Sequence, residues 1–245
     1  MTEDAPAGHR PRFPDVGNPA QFEERYRAHQ DPWRYAERAV EVLRHEVIAE
    51  TANACHPRRI LEIGCALGQI TLRLRSQEVT CGIDVSPTAA SRAHQASHHA
   101  SGAVFAAASV LTLPFADRTF DVVIASDGPW GWGLSDAERA DALREIERVL
   151  VPDGRAILTE HLRPSRFVEF VNYVTTSGLQ VERVAYLGDR PSYQLESLLK
   201  RVKGSWPARA LLGSRSLARL LRALARPLGA SASRHILVVA GRRPT

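Results

Sequence analysis

Lysine is nearly missing from this chain of 245 residues: it occurs only at positions 200 and 203, while arginine abounds. That bias points to a GC-rich bacterial genome through its codons, not to any physical demand. Cysteine is scarce as well. Cys55, Cys65 and Cys81 are odd in number and lack metal or redox spacing, which favours reduced thiols in a cytoplasm. No stretch approaches the ~18 to 20 apolar residues of a membrane span. The acidic, proline-rich N-terminus has no apolar segment of the kind that directs export, so a cytoplasmic protein is expected. Acidic residues vanish from Ser197 onward, where eleven Lys or Arg stand without a counter-charge. The remainder holds 21 basic against 27 acidic residues, so the net charge of +5 is a local excess. With 44% hydrophobic residues, one α/β domain with appendages fits better than two domains.

What the chain does have is concentrated between residues 58 and 84. Arg58-Arg59-Ile60-Leu61-Glu62-Ile63-Gly64-Cys65-Ala66-Leu67-Gly68 is a short apolar run ending in an acid and a glycine, with a second glycine opening a helix. Val79-Thr80-Cys81-Gly82-Ile83-Asp84 is a second apolar run ending in an acid. Ile60, Leu61 and Ile63 suit a buried parallel strand, and Gly64 and Gly68 let the backbone turn sharply against a ligand. Asp84 stands where an acid at the end of the second strand of a Rossmann-like unit takes both ribose hydroxyls of an adenine nucleoside. An adenosine-containing ligand is the first inference.

Two common adenosine sites are excluded by what is absent. A dinucleotide fingerprint needs glycines where this chain has Ala66 and Gln69, and a phosphate-binding loop needs Gly-Lys-Ser/Thr where Gly68 is followed by Gln69-Ile70. What remains, Glu-x-Gly-x-x-x-Gly, resembles motif I of the class I S-adenosylmethionine-dependent methyltransferases, whose ligand has no phosphate to neutralise. Ala66 replaces that family's usual middle glycine. The resemblance continues through Leu113-Pro114-Phe115, Asp117 and Phe120-Asp121-Val122-Val123-Ile124, and through Leu150-Val151-Pro152-Asp153-Gly154-Arg155-Ala156-Ile157-Leu158. It implies a seven-stranded, mostly parallel Rossmann-like sheet with helices on both faces and an antiparallel last strand. It also implies S-adenosyl-L-methionine as cofactor, with Glu62, Gly64, Cys65, Gly68, Asp84, Val85, Ser109 and Val110 around it. Ser109 stands where many members place an Asp for the adenine amino group. Its hydroxyl is a neutral, weaker acceptor.

Strand signals fall at 58–63, 79–84, 103–107, 120–126, 155–160, 180–187 and 234–240. Helix signals fall at 68–76, 87–99, after the Ser135-x-x-Glu138 capping box through Val149, and after Ser165 as cap up to Gly178. Alternation of this kind implies a parallel sheet covered on both faces. Residues 1–20 read as a flexible arm. Residues 21–57 read as a helical cap, with a helix starting at Asp31-Pro32 and carrying Ala36, Ala39, Val40, Leu43 and Val47 on one stripe. Residues 58–245 are then the core, with a basic helical insertion at about 195–230. There Arg215, Arg219, Arg222 and Arg226 share one helix face, and Leu217, Leu220, Leu221 and Leu224 the opposite one. Such a helix suits an anionic membrane, an acidic carrier protein or a phosphate-bearing substrate. The plainer alternative packs its leucines on the sheet and leaves its arginines in water.

Methyl transfer to oxygen or to a protonated amine calls for a base near the sulfonium. Asp127 and His161, just after the fourth and fifth strands, are the candidates. Asp127 also suits a role in fixing the methionine amino group or the loop, and His161 that of a hydrogen-bonded loop histidine. Trp130 and Trp132, in the Gly-rich stretch 126–133, are candidate walls for a small acceptor or anchors for that loop. His94 and His98 lie at i, i+4, but no carboxylate accompanies them and no metal is expected. The sequence predicts a methyltransferase acting on an O or N nucleophile of a small molecule, such as a bacterial secondary metabolite or a sugar derivative. A nucleic-acid methyltransferase using the basic region, and a non-catalytic cofactor binder, are the alternatives. Against the first, there is no Asn-Pro-Pro-Tyr-type motif and no separate RNA-binding module.

Overall fold

The order of seven strands in one sheet fixes where ligands bind. The computed structural model describes residues 18–97, 102–127, 134–202 and 205–242. Its strands are β1 (Arg59–Ile63), β2 (Val79–Asp84), β3 (Val104–Ala107), β4 (Phe120–Ser126), β5 (Leu150–His161), β6 (Leu179–Tyr186) and β7 (His235–Arg242). They run β3-β2-β1-β4-β5-β7-β6, with β7 antiparallel to both its neighbours and the other pairs parallel. The seven-stranded, mostly parallel sheet with a reversed last strand is as expected. Strand order reverses between β1 and β4, and in such sheets the crevice beyond the carboxyl ends at that point is the binding site.

Burial alternates with strand period. Ile60, Val122, Ile124, Ile157, Leu237 and Val239 pack on α2 (Ala39–Asn53) through Ile48, Ala49 and Ala52. Leu61, Ile63, Val123, Ala125 and Leu158 face the other way, onto Leu143 and Ile146 of α4 (Asp136–Val149) and Phe167 and Phe170 of α5 (Phe167–Thr176). The α3 helix (Pro87–Ser97) lies against β2 and β3. The expected capping box opens α4: Ser135 Oγ accepts from the Glu138 amide at 3.3 Å and the Glu138 carboxylate accepts from the Ser135 amide at 2.8 Å.

Several expected boundaries move. The chain does not enter a helix at Asp31. It turns from there to Arg38, with Arg34 left-handed at φ 55°, and α2 begins at Ala39. An earlier helix, α1 (Pro19–Ala28), is capped by the Asn18 side chain, so the expected flexible arm overlaps a helix at its end; residues 1–17 lie outside the described residues. The helix expected at 68–76 is a single tight turn, Thr71–Arg73. Asn53 of α2 ends it by donating to the Arg73 carbonyl at 3.1 Å and accepting from the Arg75 amide at 2.8 Å. No side chain caps α5; Pro164 opens a tight turn ahead of it, so Ser165 is not the cap. His98 lies outside the described residues.

Between β6 and β7 the chain forms α6 (Arg190–Leu198), α7 (Trp206–Gly213) and α8 (Arg215–Ala225). The expected amphipathic helix is α8, but its leucines do not pack on the sheet. Ala218 and Ala225 form its buried seam, Leu217 and Leu221 are half-buried, and Leu220 and Leu224 are 55% and 67% exposed. Arg215 and Arg219 approach Glu46 of α2 at 3.7 Å. No helix among the described residues is long and apolar enough to cross a membrane.

Candidate active site

At the carboxyl ends of β1, β2 and β4, and under α1, lies a cavity of about 270 Å³. Gly64, Asp84, Val85, Ser109, Val110 and Asp127 all line it, so six of the expected site residues converge on one space. Asp84 is buried, and each of its carboxyl oxygens takes one backbone amide: Oδ2 from Ala66 and Oδ1 from Ser86, both at 2.9 Å. Each keeps acceptor capacity for a ligand hydroxyl. Burial pushes the Asp84 carboxyl above its ordinary range. Ser109 Oγ accepts from the Leu111 amide at 3.2 Å, which occupies one lone pair and leaves its hydrogen to donate.

The glycines divide the work. Gly64 has φ +71°, and a Cβ there would meet no atom within 4 Å, because it would enter the cavity. Gly68, φ +78°, does not line the cavity; a Cβ there would stand 3.1 Å from the Phe105 ring. Gly68 therefore serves the packing of the loop on β3. Ala66 holds φ +51°, a left-handed conformation that costs a side-chain-bearing residue about 1–2 kcal/mol.

Glu62 and Cys65 stand behind the loop, not in the cavity with Asp84. They line a narrower pocket with Tyr35, Arg44, His45 and Gln69. Glu62 accepts from the Thr71 hydroxyl, and its burial pushes its pKa up to about 8. Burial likewise raises the Cys65 thiol, which is unreactive packing.

Of the two base candidates, Asp127 is in the cavity wall and His161 is not. Asp127 is held from behind. Its Oδ2 meets Arg44 Nη1 at 2.7 Å and His235 Nε2 at 3.2 Å, and Arg44 also bonds Ser126 Oγ at 2.9 Å. Burial opposes ionisation of Asp127, but Arg44 and His235 outweigh it and hold the carboxyl well below its usual range. A carboxylate held so firmly ionised is a poor proton acceptor. The His161 ring lies tilted, 4.8 Å from the ring of His235 and 5.5 Å from that of Tyr193, and its burial pulls its pKa down to about 4. Glu160, buried and pushed by that burial to about 8, does not line the cavity either. Trp130 and Trp132 lie outside the described residues.

Sequence reasoning missed the support behind Asp127. His235 Nδ1 bonds the Asp189 carboxylate, Arg44 Nη2 meets Glu41 at 2.9 Å, and Tyr193 donates to Glu41 at 2.7 Å. Glu41, Arg44 and His45 are buried side by side on α2. Three ionisable residues inside an otherwise apolar helical stripe were the available signal.

The roof comes from α1. Pro19, Phe22 and Tyr26 line the cavity, Trp33 donates its indole N–H to the Tyr26 hydroxyl at 3.1 Å, and Tyr35 completes the aromatic wall. Glu23 ties α1 down by accepting from Ser86 Oγ at 2.7 Å and Thr88 Oγ1 at 2.6 Å. Among the described lining residues there are three carboxylates, Asp84, Asp127 and Glu138, and no Lys or Arg.

Residues 60–154 match the family described as "Methyltransferase domain". Over that segment, which is less than half of the chain, the protein is similar to methyltransferases. It is 31% identical over 113 residues to the 27-O-demethylrifamycin SV methyltransferase of Amycolatopsis mediterranei, a match covering 42% of this chain and 39% of that one. Its matches span about half or less of the length of the curated relatives. Among solved structures, the fold resembles the N-methyltransferase NodS of Bradyrhizobium japonicum in complex with S-adenosyl-l-homocysteine. That likeness has TM-score 0.64 at 20% identity, over 92% of this chain and 98% of the other. It also resembles the [4+2]-cyclase SpnF, with TM-score 0.62 at 19% identity over 84% and 82%.

Proposed function

We propose that this chain binds S-adenosyl-L-methionine in the 270 Å³ cavity and transfers its methyl group to an O or N nucleophile of a small molecule, such as a bacterial secondary metabolite or sugar derivative. Because a cyclase shares the fold, the fold leaves the reaction open, and the cavity chemistry carries the reading. The deciding observation is the wall of three carboxylates and four aromatic rings without a cation among the described residues. A pyrophosphate or triphosphate would be repelled there, whereas a sulfonium is attracted by carboxylates and aromatic faces alike. Asp84 fits the ribose hydroxyls, and the space above Gly64 admits close approach of a ligand to the backbone.

The bound cofactor would supply an electrophilic methyl group already activated by positive charge. The protein's part is to hold the acceptor in line and to exclude water under the α1 roof. Asp127, paired with Arg44 and His235, takes the second of its two sequence-read roles, fixing the cofactor's methionine end or the loop, and not that of general base. An acceptor that is a free amine, or a hydroxyl acidic enough to ionise unaided, suits such a site. Three free thiols support a cytoplasmic location. Calorimetry with S-adenosylhomocysteine, followed by single-turnover assays with labelled donor against a metabolite library, tests the proposal. Binding with label transfer supports it, binding without transfer makes the chain a binder, and uptake of a nucleoside triphosphate instead overturns it.

A peripheral contact with anionic membrane belongs to this reading, favoured by the exposed Leu220 and Leu224 beside arginines of which Arg215 and Arg219 meet Glu46 only at 3.7 Å. Sedimentation with phosphatidylserine vesicles should fall when both leucines become Ser. Unchanged sedimentation returns the arginines to solvent decoration.

A further inference from the structure

A second cavity, of about 610 Å³, lies on the other side of Trp33 from the cofactor cavity, and the Trp33 indole lines both. Its chemistry is the reverse of its neighbour's. Arg25, Arg34, Arg38 and Arg209 line it against two carboxylates, Glu37 and Glu196. Arg34 is matched by Glu37, and Arg38 by Glu196 at 2.5 Å and Glu41 at 2.9 Å. Arg25 places its guanidinium 5.3 Å over the Trp33 ring, which fixes a cation beside the shared wall. Arg209 is exposed on α7, and its side chain has no hydrogen bond or ion pair among the described residues. Arg38 Nε is buried without an acceptor. The lining thus presents one cation without a carboxylate, Arg209, and an unmet buried donor on Arg38.

We infer that this vestibule receives an anionic group, phosphate or carboxylate, borne by the acceptor substrate. The inference rests on the reading of the neighbouring cavity as the cofactor site, and it narrows the acceptor to an anionic small molecule. The two cavities divide the charges between them: the cation-free one suits a sulfonium, and the arginine-lined one suits an oxyanion. An acceptor with its anionic end among the arginines and its nucleophile beyond Trp33 would meet both. Guanidinium groups pair with phosphate and carboxylate alike through parallel N–H bonds, so the shared chemistry is an oxyanion.

Calorimetry on the full chain at low salt distinguishes the sources, using phenyl phosphate, benzoate and neutral benzyl alcohol as probes, with S-adenosylhomocysteine titrated separately. The expected result is one-to-one binding of phenyl phosphate or benzoate, or both, with Kd below about 1 mM, and no binding of benzyl alcohol. Whichever anion binds more tightly names the group. Arg209→Gln should weaken that anion about tenfold, and Arg209→Glu further, while S-adenosylhomocysteine affinity stays within about twofold. Because Arg209 is exposed and unpaired, neither variant removes a contact within the fold, and an unchanged melting curve checks this. Anion affinity equal to that of benzyl alcohol, or unchanged in both Arg209 variants, overturns the inference. Arg209-dependent anion binding without any S-adenosylhomocysteine binding would sink the cofactor reading and leave the vestibule standing as an oxyanion site.

Discussion

His235 bridges two carboxylates: its Nε2 lies 3.2 Å from Asp127 and its Nδ1 bonds Asp189. Burial works against its charge, but Asp127 and Asp189 raise its pKa to about 9. The fold therefore binds this proton more tightly than the unfolded chain does, whose histidines titrate near about 6.5. Its stabilising contribution, about 3 kcal/mol, is complete below pH ~6.5 and is lost as pH rises through ~9. Asp127 and Asp189 are shifted downward, so their contribution is present above about pH 4 and is lost on further acidification. Melting temperature should plateau between about pH 5 and 6.5 and decline toward pH 9. His235→Gln should lower the plateau and make the alkaline decline shallower, leaving the part due to Glu62 and Glu160, whose raised carboxyls also lose stability as pH rises toward about 8; a parallel curve would contradict the assignment.

Asp84→Asn keeps the shape of the side chain and removes its charge. One charge-assisted hydrogen bond lost to a ribose hydroxyl weakens binding about 10- to 100-fold. Calorimetry with S-adenosylhomocysteine should read that loss with near-native circular dichroism. Undiminished affinity would move the nucleoside elsewhere.

Two glycine substitutions should separate binding from folding. Gly64→Ala places a methyl group in the cavity, so it should reduce ligand affinity more than its backbone strain, about 1 kcal/mol, reduces stability. Gly68→Ala presses on the Phe105 ring and should mainly lower the melting temperature, by the equivalent of about 1–3 kcal/mol. Denaturant titrations alongside calorimetry distinguish the two. Equal effects in both assays would refute the division of labour.

Ala66→Gly relieves a left-handed residue and should stabilise the chain by about 0.5–1 kcal/mol after the entropy of the unfolded glycine is counted. Chemical denaturation gives the sign directly. A loss of stability would mean that the Ala66 methyl group contributes packing that outweighs the strain.

Much of this was legible in short stretches of sequence. Ile60 to Gly64 and Val79 to Asp84 announce themselves through local pattern, because a buried strand, its end and its turn are neighbours in the chain. The capping box of Ser135 and Glu138 is local too. The charge network was not legible, because Arg44, Asp127, Asp189 and His235 meet only through the placing of α2 and β7. Asp31-Pro32 misled for a different reason: a good cap signal preceded a residue, Arg34, whose left-handed backbone stops a helix from propagating. The choice between the two roles read for Asp127 was not legible either, since an isolated carboxylate in sequence gives no sign of the arginine and histidine that meet it.

The place of β7 also sets an order of events. It lies between β5 and β6, so β6, although made earlier, has its only sheet neighbour among the described residues in a strand synthesised some fifty residues later. Until β7 docks, β6 has no ladder to join and His235 cannot reach the carboxylates of Asp127 and Asp189. As the chain is made, then, the sheet gains its last two strands, and Asp127 its histidine partner, in one late step.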